Sequence, residues 1–270
     1  MSNIDCEEIS SIHRARIRNE IEDSGKRPLL AIVSVGNTKA GQIEDIELAC
    51  NAVGIDVASY FLDDSAGQKE LNEVLDFVSN LSSIDGILLP LPLPNNLNEQ
   101  DAIQHINKDK DVNCLTEENI FQFYKGQKAF LSCVAKGVIE ILDSLGYQCN
   151  GKNVVILGRN RHIEGVIGQV LRNRGATVIM CWSDTNSNYS YTKQADLVIS
   201  AMGKPGHLTS DKIKPDSLII DIGSSEVNHK MVGDVSDDCE EKAICIPYKR
   251  GTDIMTMTAL LENIMLSVKK

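Results

Sequence analysis

The sequence predicts an α/β protein of two domains, and three observations carry this prediction. Short apolar runs rich in β-branched residues recur along the chain, amphipathic helical patterns lie between most of them, and 270 residues suffice for two modest domains. Continuous apolar strands that alternate with amphipathic helices are typical of parallel sheets covered on both faces. We therefore expect two layered α/β domains.

Eight apolar runs are the predicted strands, at residues 29–35, 55–62, 86–89, 154–157, 177–181, 197–200, 218–222 and 243–246. Segments with apolar residues three and four positions apart are the predicted helices, with examples at residues 43–53, 68–81, 136–145, 163–174 and 256–268. No internal repeat and no low-complexity tract interrupts this alternation.

The domain boundary is predicted near residues 132–137, where a polar stretch gives way to a new helix. The order of strands and helices after this point is that of a nucleotide-binding half. No strand follows the last helix, which can therefore pack back on the first domain. We assign residues 1–134 with 256–270 to a substrate domain and residues 135–255 to a Rossmann-like domain.

The composition of the chain indicates which kinds of partner and ligand are not expected. An excess of 38 acidic over 27 basic residues repels nucleic-acid backbones and anionic membrane surfaces, so we expect neither partner. The first residues lack the apolar core of a signal peptide, and no apolar run approaches the ~20 residues of a membrane span, which favours a soluble cytoplasmic protein. Eight cysteines and five histidines are scattered without metal-ligand spacing, so no metal is predicted.

Residues 153–165 (NVVILGRNRHIEG) have the pattern strand, turn, helix, with Gly158 at the turn. Backbone amides at such a turn can hold a phosphate at the helix N-terminus, although glycine is also common at ordinary α/β turns. The next strand ends at Trp182-Ser183 without the acidic residue that binds a ribose hydroxyl. Arg159 and Ser183 therefore favour NADP over NAD, the alternative for Arg159 being a solvated turn residue.

A proline-rich run follows the third predicted strand, with the sequence GILLPLPLP at residues 86–94. Its alternate prolines remove strand hydrogen-bond donors and impose an extended path. The carboxyl ends of parallel strands are where α/β proteins bind ligands, so this run predicts a pocket wall. The alternative is a stiff interdomain loop.

Six motifs in order and spacing resemble the methylenetetrahydrofolate dehydrogenase/cyclohydrolase family across nearly the whole chain. They are IDGILLPLPLP at 84–94, KDVN at 110–113, VVILGRN at 154–160, SAMGKPG at 200–206, LIIDIG at 218–223 with GDV at 233–235, and IMTMTALLEN at 254–263. The resemblance implies a folate domain, a Rossmann-like NADP domain, a cleft between them for the folate, and a homodimer.

The catalytic pair of that family is replaced in this chain. The family carries a tyrosine and, four residues later, a lysine that mediates the proton transfers of cyclohydrolysis; the matching positions hold Gln42 and Ile46. Isoleucine neither donates nor accepts a proton. The catalytic residues are therefore unknown, and Lys39 on the preceding loop is the alternative source of an amine.

The ligand-binding residues that the resemblance implies are only partly retained. In the substrate site they are Pro90, Asp111 and Asn113; Pro90 stands in place of a family glutamine and Asn113 in place of the pterin-binding aspartate. In the cofactor site they are Gly158, Arg159, Asn160, Ser183, Gly203, Pro205 and Thr256.

Glu164 stands where the family pattern GRSxxVGxP has a glycine that lets the helix approach the pyrophosphate. Its bulk and negative charge would weaken dinucleotide binding. In a register shifted by one residue, Gly165 is the conserved glycine instead. The family's PCTP also becomes Ser132-Cys133-Val134-Ala135, and its GGVGPMT begins at Arg250.

The sequence is compatible with three functions. The first is an NADP-dependent methylenetetrahydrofolate dehydrogenase that has lost cyclohydrolysis and binds NADP weakly. The second is a catalytically silent family member that acts as a binding or regulatory protein. The third is a different small-molecule NADP enzyme on the same scaffold, because a fold does not determine a function.

Overall fold

The computed structural model describes residues 5–36, 40–182, 188–228 and 230–269. Two compact units make up this part of the chain. The first unit contains Ser11–Cys133 and the residues from Met257 onward. The second unit contains Val134–Thr256 together with the described residues up to Ser10. The sequence-based division differs in placing those first residues in the substrate domain.

The chain up to residue 124 forms α1 (Cys6–Ser24), β1 (Leu29–Val35), α2 (Ala40–Val53), β2 (Asp56–Leu62), α3 (Gln68–Asn80), β3 (Gly86–Leu88), α4 (Glu99–Gln104) and α5 (Glu117–Tyr124). The three strands form a parallel sheet in the order β2-β1-β3. The central strand β1 is buried on both faces, which explains why Ser34 is its only polar residue.

Alternate residues of β1 contribute to two separate cores of the first unit, because successive side chains point to opposite faces of a sheet. Leu30 and Ile32 pack in a cluster with residues of α2 and of the C-terminal helix. Ala31 and Val33 pack in a second cluster with residues of α3. The sheet therefore has a helical layer on each face.

The chain from residue 133 forms α6 (Cys133–Ser144), β4 (Asn153–Leu157), α7 (Glu164–Asn173), β5 (Thr177–Cys181), α8 (Asn188–Thr192), β6 (Leu197–Ser200), β7 (Leu218–Asp221), β8 (Ser225–Val227), β9 (Lys230–Val232), β10 (Ile244–Ile246) and α9 (Asp253–Ser267). Five strands form a parallel sheet in the order β10-β7-β6-β4-β5, and β8 and β9 form an antiparallel hairpin. The chain leaves β4 for β5 on one side and later returns to β6 on the other. The carboxyl end of β4 is therefore a topological switch point, where open α/β sheets bind ligands.

The predicted two-domain α/β class is confirmed, and each predicted strand is present with its ends shifted by at most one residue. Helices α2, α6 and α9 begin three residues earlier than predicted, because the first turn of a helix need not contribute to the apolar stripe. The short helices α4, α5 and α8 and the hairpin were not predicted, since segments of three to eight residues carry little periodicity. Among the described residues, no helix is both long and apolar enough to cross a membrane.

Candidate functional site

Helix α2 carries the positions of the family's catalytic tyrosine and lysine. Its buried residues, Ile43, Ile46, Cys50 and Val53, recur every three or four positions and form one face. Ile46 is 4% exposed and belongs to the core cluster beneath β1. Gln42 is exposed. Ile46, the predicted lysine position, is therefore a core residue of the first unit.

The KDVN loop is organised by Asp111, which is fully buried. Its carboxylate accepts hydrogen bonds from the backbone N–H groups of Leu115 and Thr116 at 2.9 Å, from Thr116 Oγ1 at 2.8 Å and from Asn119 Nδ2 at 3.0 Å. Both carboxylate oxygens are thus engaged within the first unit. Asp111 therefore organises the turn that leads into α5, and its predicted substrate contact stays a prediction.

Asn113 is half-buried, and its Oδ1 accepts a hydrogen bond of 3.4 Å from the backbone N–H of Cys133. Asn263 on α9 donates to the backbone carbonyl of Val112 at 2.8 Å. Cys114 has φ 55° at the position where the family pattern has glycine. The loop therefore keeps a left-handed turn although the glycine is lost.

The proline-rich run begins as predicted where a strand stops. Strand β3 ends at Leu88, and Pro90 is buried directly beyond it. The backbone N–H of Leu93 donates to Glu99 Oε1 at 2.9 Å, which ties the run to the start of α4. The run is therefore an ordered segment at the carboxyl end of the sheet, as a pocket wall requires.

The turn after β4 is the candidate dinucleotide loop of the second unit. Gly158 follows the last residue of β4, and its N–H donates to the carbonyl of Cys181 in β5 at 2.7 Å. Asn160 shapes the turn: its Oδ1 accepts from His162 N at 2.8 Å, and its carbonyl accepts from Gly165 N at 3.0 Å. Helix α7 then begins at Glu164.

Glu164 folds back over Gly158. The Glu164 side chain is 4% exposed, and a Cβ atom placed on Gly158 would lie 2.9 Å from its Cγ, Cδ and Oε1 atoms. Burial raises the pKa of Glu164 to about 7, and hydrogen bonds from the backbone N–H groups of Asn160 and Glu164 itself oppose this rise. Among the residues that the structure describes, Oε2 has no hydrogen-bond partner. The Glu164 side chain therefore faces the turn.

This arrangement does not fit the pyrophosphate of a dinucleotide. A phosphate at a βα turn approaches the glycine backbone and accepts hydrogen bonds from amides at the start of the helix. In this chain the Glu164 side chain occupies that space, and the backbone N–H groups of Asn160 and Glu164 lower its pKa. Arg159 is exposed beside the turn, and Ser183, the other residue predicted to favour NADP, lies outside the described residues.

The SAMGKPG loop presents Gly203 and Pro205, which are both exposed. The buried Asp234 holds this loop by accepting hydrogen bonds from Ser200 Oγ at 2.9 Å and from the backbone N–H groups of Met202 and Lys204 at 2.6 Å. The two predicted cofactor residues therefore lie on an ordered loop after β6, which neighbours β4 in the sheet.

A pair of buried aspartates explains two motifs that sequence reasoning treated only as family signatures. Asp221 accepts hydrogen bonds from Gly223 N and Val235 N, and Asp234 packs on Gly223. Asp221 in turn packs on Gly233, where a Cβ atom would collide with its carboxylate. Burial raises the pKa of Asp221 to about 6. An aspartate at the end of an apolar strand, with glycines nearby in sequence, was the signal available.

The start of α9 contains Thr256, which is half-buried. Gly137 on α6 lies against it, since a Cβ atom there would be 2.9 Å from the carbonyl carbon of Met255 and 3.1 Å from Thr256 N. Arg250 has φ 62° at another family glycine position. The backbone at Arg250 is thus in the left-handed region that glycine adopts most easily.

These features define a class of protein, a two-domain α/β protein with a nucleotide-binding type of sheet whose switch point follows β4. Residues 4–113 match the model of the tetrahydrofolate dehydrogenase/cyclohydrolase catalytic domain, and residues 132–270 match that of its NAD(P)-binding domain. The chain belongs to the tetrahydrofolate dehydrogenase/cyclohydrolase family.

Curated relatives named bifunctional protein FolD are similar over nearly their whole length. The protein of Clostridium novyi is 32% identical over 98% of this chain and 99% of its own, and that of Clostridium tetani is 34% identical over 97% of both. These matches and the domain models confirm the predicted family and the predicted NAD(P)-binding domain.

Solved structures agree with this assignment. The bifunctional FolD of Campylobacter jejuni superposes with a TM-score of 0.93 at 30% identity, covering 100% of this chain and 99% of its own. The Trypanosoma brucei FolD, complexed with NADP and an inhibitor, has a TM-score of 0.92 at 27% identity over 99% and 97%. A 5,10-methylenetetrahydrofolate dehydrogenase of the silkworm Bombyx mori has a TM-score of 0.90 at 25% identity over 100% and 98%.

Proposed function

We propose that this protein serves folate one-carbon metabolism as an NADP-dependent 5,10-methylenetetrahydrofolate dehydrogenase that has lost the cyclohydrolase reaction. The observation that carries the proposal is Ile46, which occupies the position of the family's proton-transferring lysine and is buried in the core of the first unit. Its side chain can neither donate nor accept a proton. The described residues of the buried face of α2 include no lysine, histidine or carboxylate, and burial raises the pKa of the Cys50 thiol on that face to about 12.

Dehydrogenation needs less acid/base chemistry than hydrolysis. It depends mainly on how the protein holds the two ligands in contact. Asn113 is the proposed pterin contact and offers a neutral amide where the family has a carboxylate. NADP is the cofactor that family membership supports, and the exposed Arg159 suits its 2′-phosphate. A homodimer and a cytoplasmic location stay predictions.

The cyclohydrolase proposal is tested by following the hydrolysis of methenyltetrahydrofolate at neutral pH, with the Clostridium tetani protein assayed alongside. General acid/base assistance is worth ~10² to 10⁴ in rate, so we expect this protein to be at least ~10²-fold slower. Hydrolysis at a comparable rate would contradict the proposal. In that case the hydrolysis rate of the Lys39→Ala variant tests whether Lys39 supplies the amine. Lys39 lies outside the described residues.

A second candidate function is a folate-binding protein without catalysis, and one observation favours it: the Glu164 carboxylate lies in the space that a dinucleotide phosphate needs. Calorimetric titration with NADP and then with tetrahydrofolate separates the two candidates. Tetrahydrofolate binding without detectable NADP binding or methylenetetrahydrofolate oxidation supports the silent protein. Binding of both ligands with oxidation supports the dehydrogenase.

A further inference from the structure

We infer that Glu164 is a built-in anion, whose carboxylate occupies the phosphate cradle at Gly158 and keeps it closed to dinucleotides until the side chain is displaced. We define the phosphate cradle as the backbone of Gly158, of Asn160 and of the first residue of α7. The inference deepens the proposed function and rests on it for the class of ligand, a nicotinamide dinucleotide.

The place of the cradle in the fold makes it a phosphate site. It lies at the carboxyl end of β4, whose neighbours in the sheet are β5 on one side and β6 on the other. Helix α7 has ten residues and directs its N-terminal amides at the turn. A βα turn with glycine and a helix N-terminus at such a switch point binds anions through backbone N–H groups and the helix dipole.

The Glu164 carboxylate satisfies the same requirements from within the chain. Its Cγ, Cδ and Oε1 atoms fill the space above Gly158, and the nearby backbone N–H groups of Asn160 and Glu164 favour its charged form. A phosphate oxygen needs both those N–H groups and that space. The carboxylate and the phosphate therefore exclude each other by volume and by charge.

The closed cradle also leaves Glu164 incompletely satisfied. Within the described residues its Oε2 atom is buried without a hydrogen-bond donor, and a carboxylate oxygen buried in this way costs free energy. Burial raises the pKa of Glu164 to about 7, as expected for a carboxylate that only backbone amides stabilise. Displacement of the side chain into water relieves this cost, so the cradle is a site that can open.

The test is NADP binding at pH 7.5 by calorimetry, without folate, for the wild type, Glu164→Gly and Glu164→Gln. We expect Glu164→Gly to bind NADP at least about tenfold more tightly than the wild type, because both bulk and charge are removed. Glu164→Gln removes only the charge and should tighten binding by a smaller factor. Glu241→Gln, which changes an exposed glutamate elsewhere in the second unit, is the matched control and should bind like the wild type.

Wild-type affinity in both Glu164 variants would overturn the inference, as would low-micromolar NADP binding by the wild type. If Glu164→Gly does not fold by circular dichroism, Glu164→Gln alone decides the outcome. Methylenetetrahydrofolate oxidation by Glu164→Gly is measured separately. A variant that binds NADP tightly without oxidation supports the inference and contradicts the proposed dehydrogenase, so the two failures are distinguishable.

Discussion

The lysine position on α2 and the cradle after β4 have both departed from the family pattern, but in opposite ways. At Ile46, the predicted position of the family's lysine, a hydrocarbon side chain is part of a core. At Glu164 a functional group has been added, and it occupies the place of a ligand. The site at Glu164 can therefore be reopened by one substitution. A lysine at position 46, by contrast, would disturb a packed core and lower the stability of the fold.

The largest effect expected from this comparison is on stability, at Ile46. Ile46→Ala should lower the free energy of unfolding by about 2 to 4 kcal/mol, because it leaves a cavity in the core cluster of the first unit. Chemical denaturation measures this change. Leu48→Ala is the control on the same helix, since Leu48 is 68% exposed, and it should change the free energy by less than about 0.5 kcal/mol.

Equal effects of the two substitutions would show that Ile46 does not act as a core residue.

A lysine at the same position gives a second test, the variant Ile46→Lys. A buried ammonium without a partner is costly, so this variant should be destabilised, and cyclohydrolase activity should stay at the wild-type level. Recovery of hydrolysis in Ile46→Lys would show that this position still functions as a catalytic one.

The next effect is a pH dependence at Glu164. Its pKa is raised from an ordinary value of 4.5 to about 7, so the folded state favours the protonated form. Stability from this group is fully present below pH 4.5 and is lost as the pH rises to about 7. Since one pKa unit is worth about 1.4 kcal/mol, Glu164→Gln should gain stability relative to the wild type across this window, by on the order of 3 kcal/mol.

Unfolding free energies of both proteins between pH 4.5 and pH 8 measure this difference. Asp221, whose pKa is raised to about 6, contributes the same slope to both proteins and cancels in the comparison. A constant difference between wild type and Glu164→Gln would show that Glu164 is solvated and does not lie in the cradle. Both the pH slope and the NADP inference would then fail together.

The smallest effect concerns a family glycine whose backbone conformation is retained. Arg250 has φ 62°, a conformation that costs a residue with a Cβ atom about 1 to 2 kcal/mol. Glycine avoids this cost but loses more conformational entropy on folding, which offsets about half of the gain. Arg250→Gly should therefore raise the free energy of unfolding by about 0.5 to 1 kcal/mol. The exposed ion pair of Arg250 with Glu7 offsets little of this gain.

Arg250→Ala is the matched control, because it removes the same ion pair and keeps the Cβ atom. Thermal denaturation of the two variants separates backbone strain from the loss of the side chain. A gain of the same size in both would show that the left-handed conformation carries no strain. Stabilisation by glycine alone supports a retained family backbone at a substituted position.

The order of residues was enough to predict the fold class and the family, and both predictions are confirmed. Apolar strands alternating with amphipathic helices are recorded directly in the order of residues, and six motifs in register identify the family. Ile46 has no titratable group in any conformation, so the absence of a lysine at this position required no structure. These properties depend on residue type and spacing alone.

The contacts of the remaining polar residues could be known only from the three-dimensional fold. Asp111 matches a family motif, but its four hydrogen bonds commit it to the loop, and Asp221 and Asp234 are shown to pack on glycines of each other's motif. The sequence placed a negative charge near the dinucleotide loop, whereas the direction of the Glu164 side chain placed it inside the cradle. The reason is physical: residue type limits what a group can bind, but turn geometry and burial decide which donors it meets.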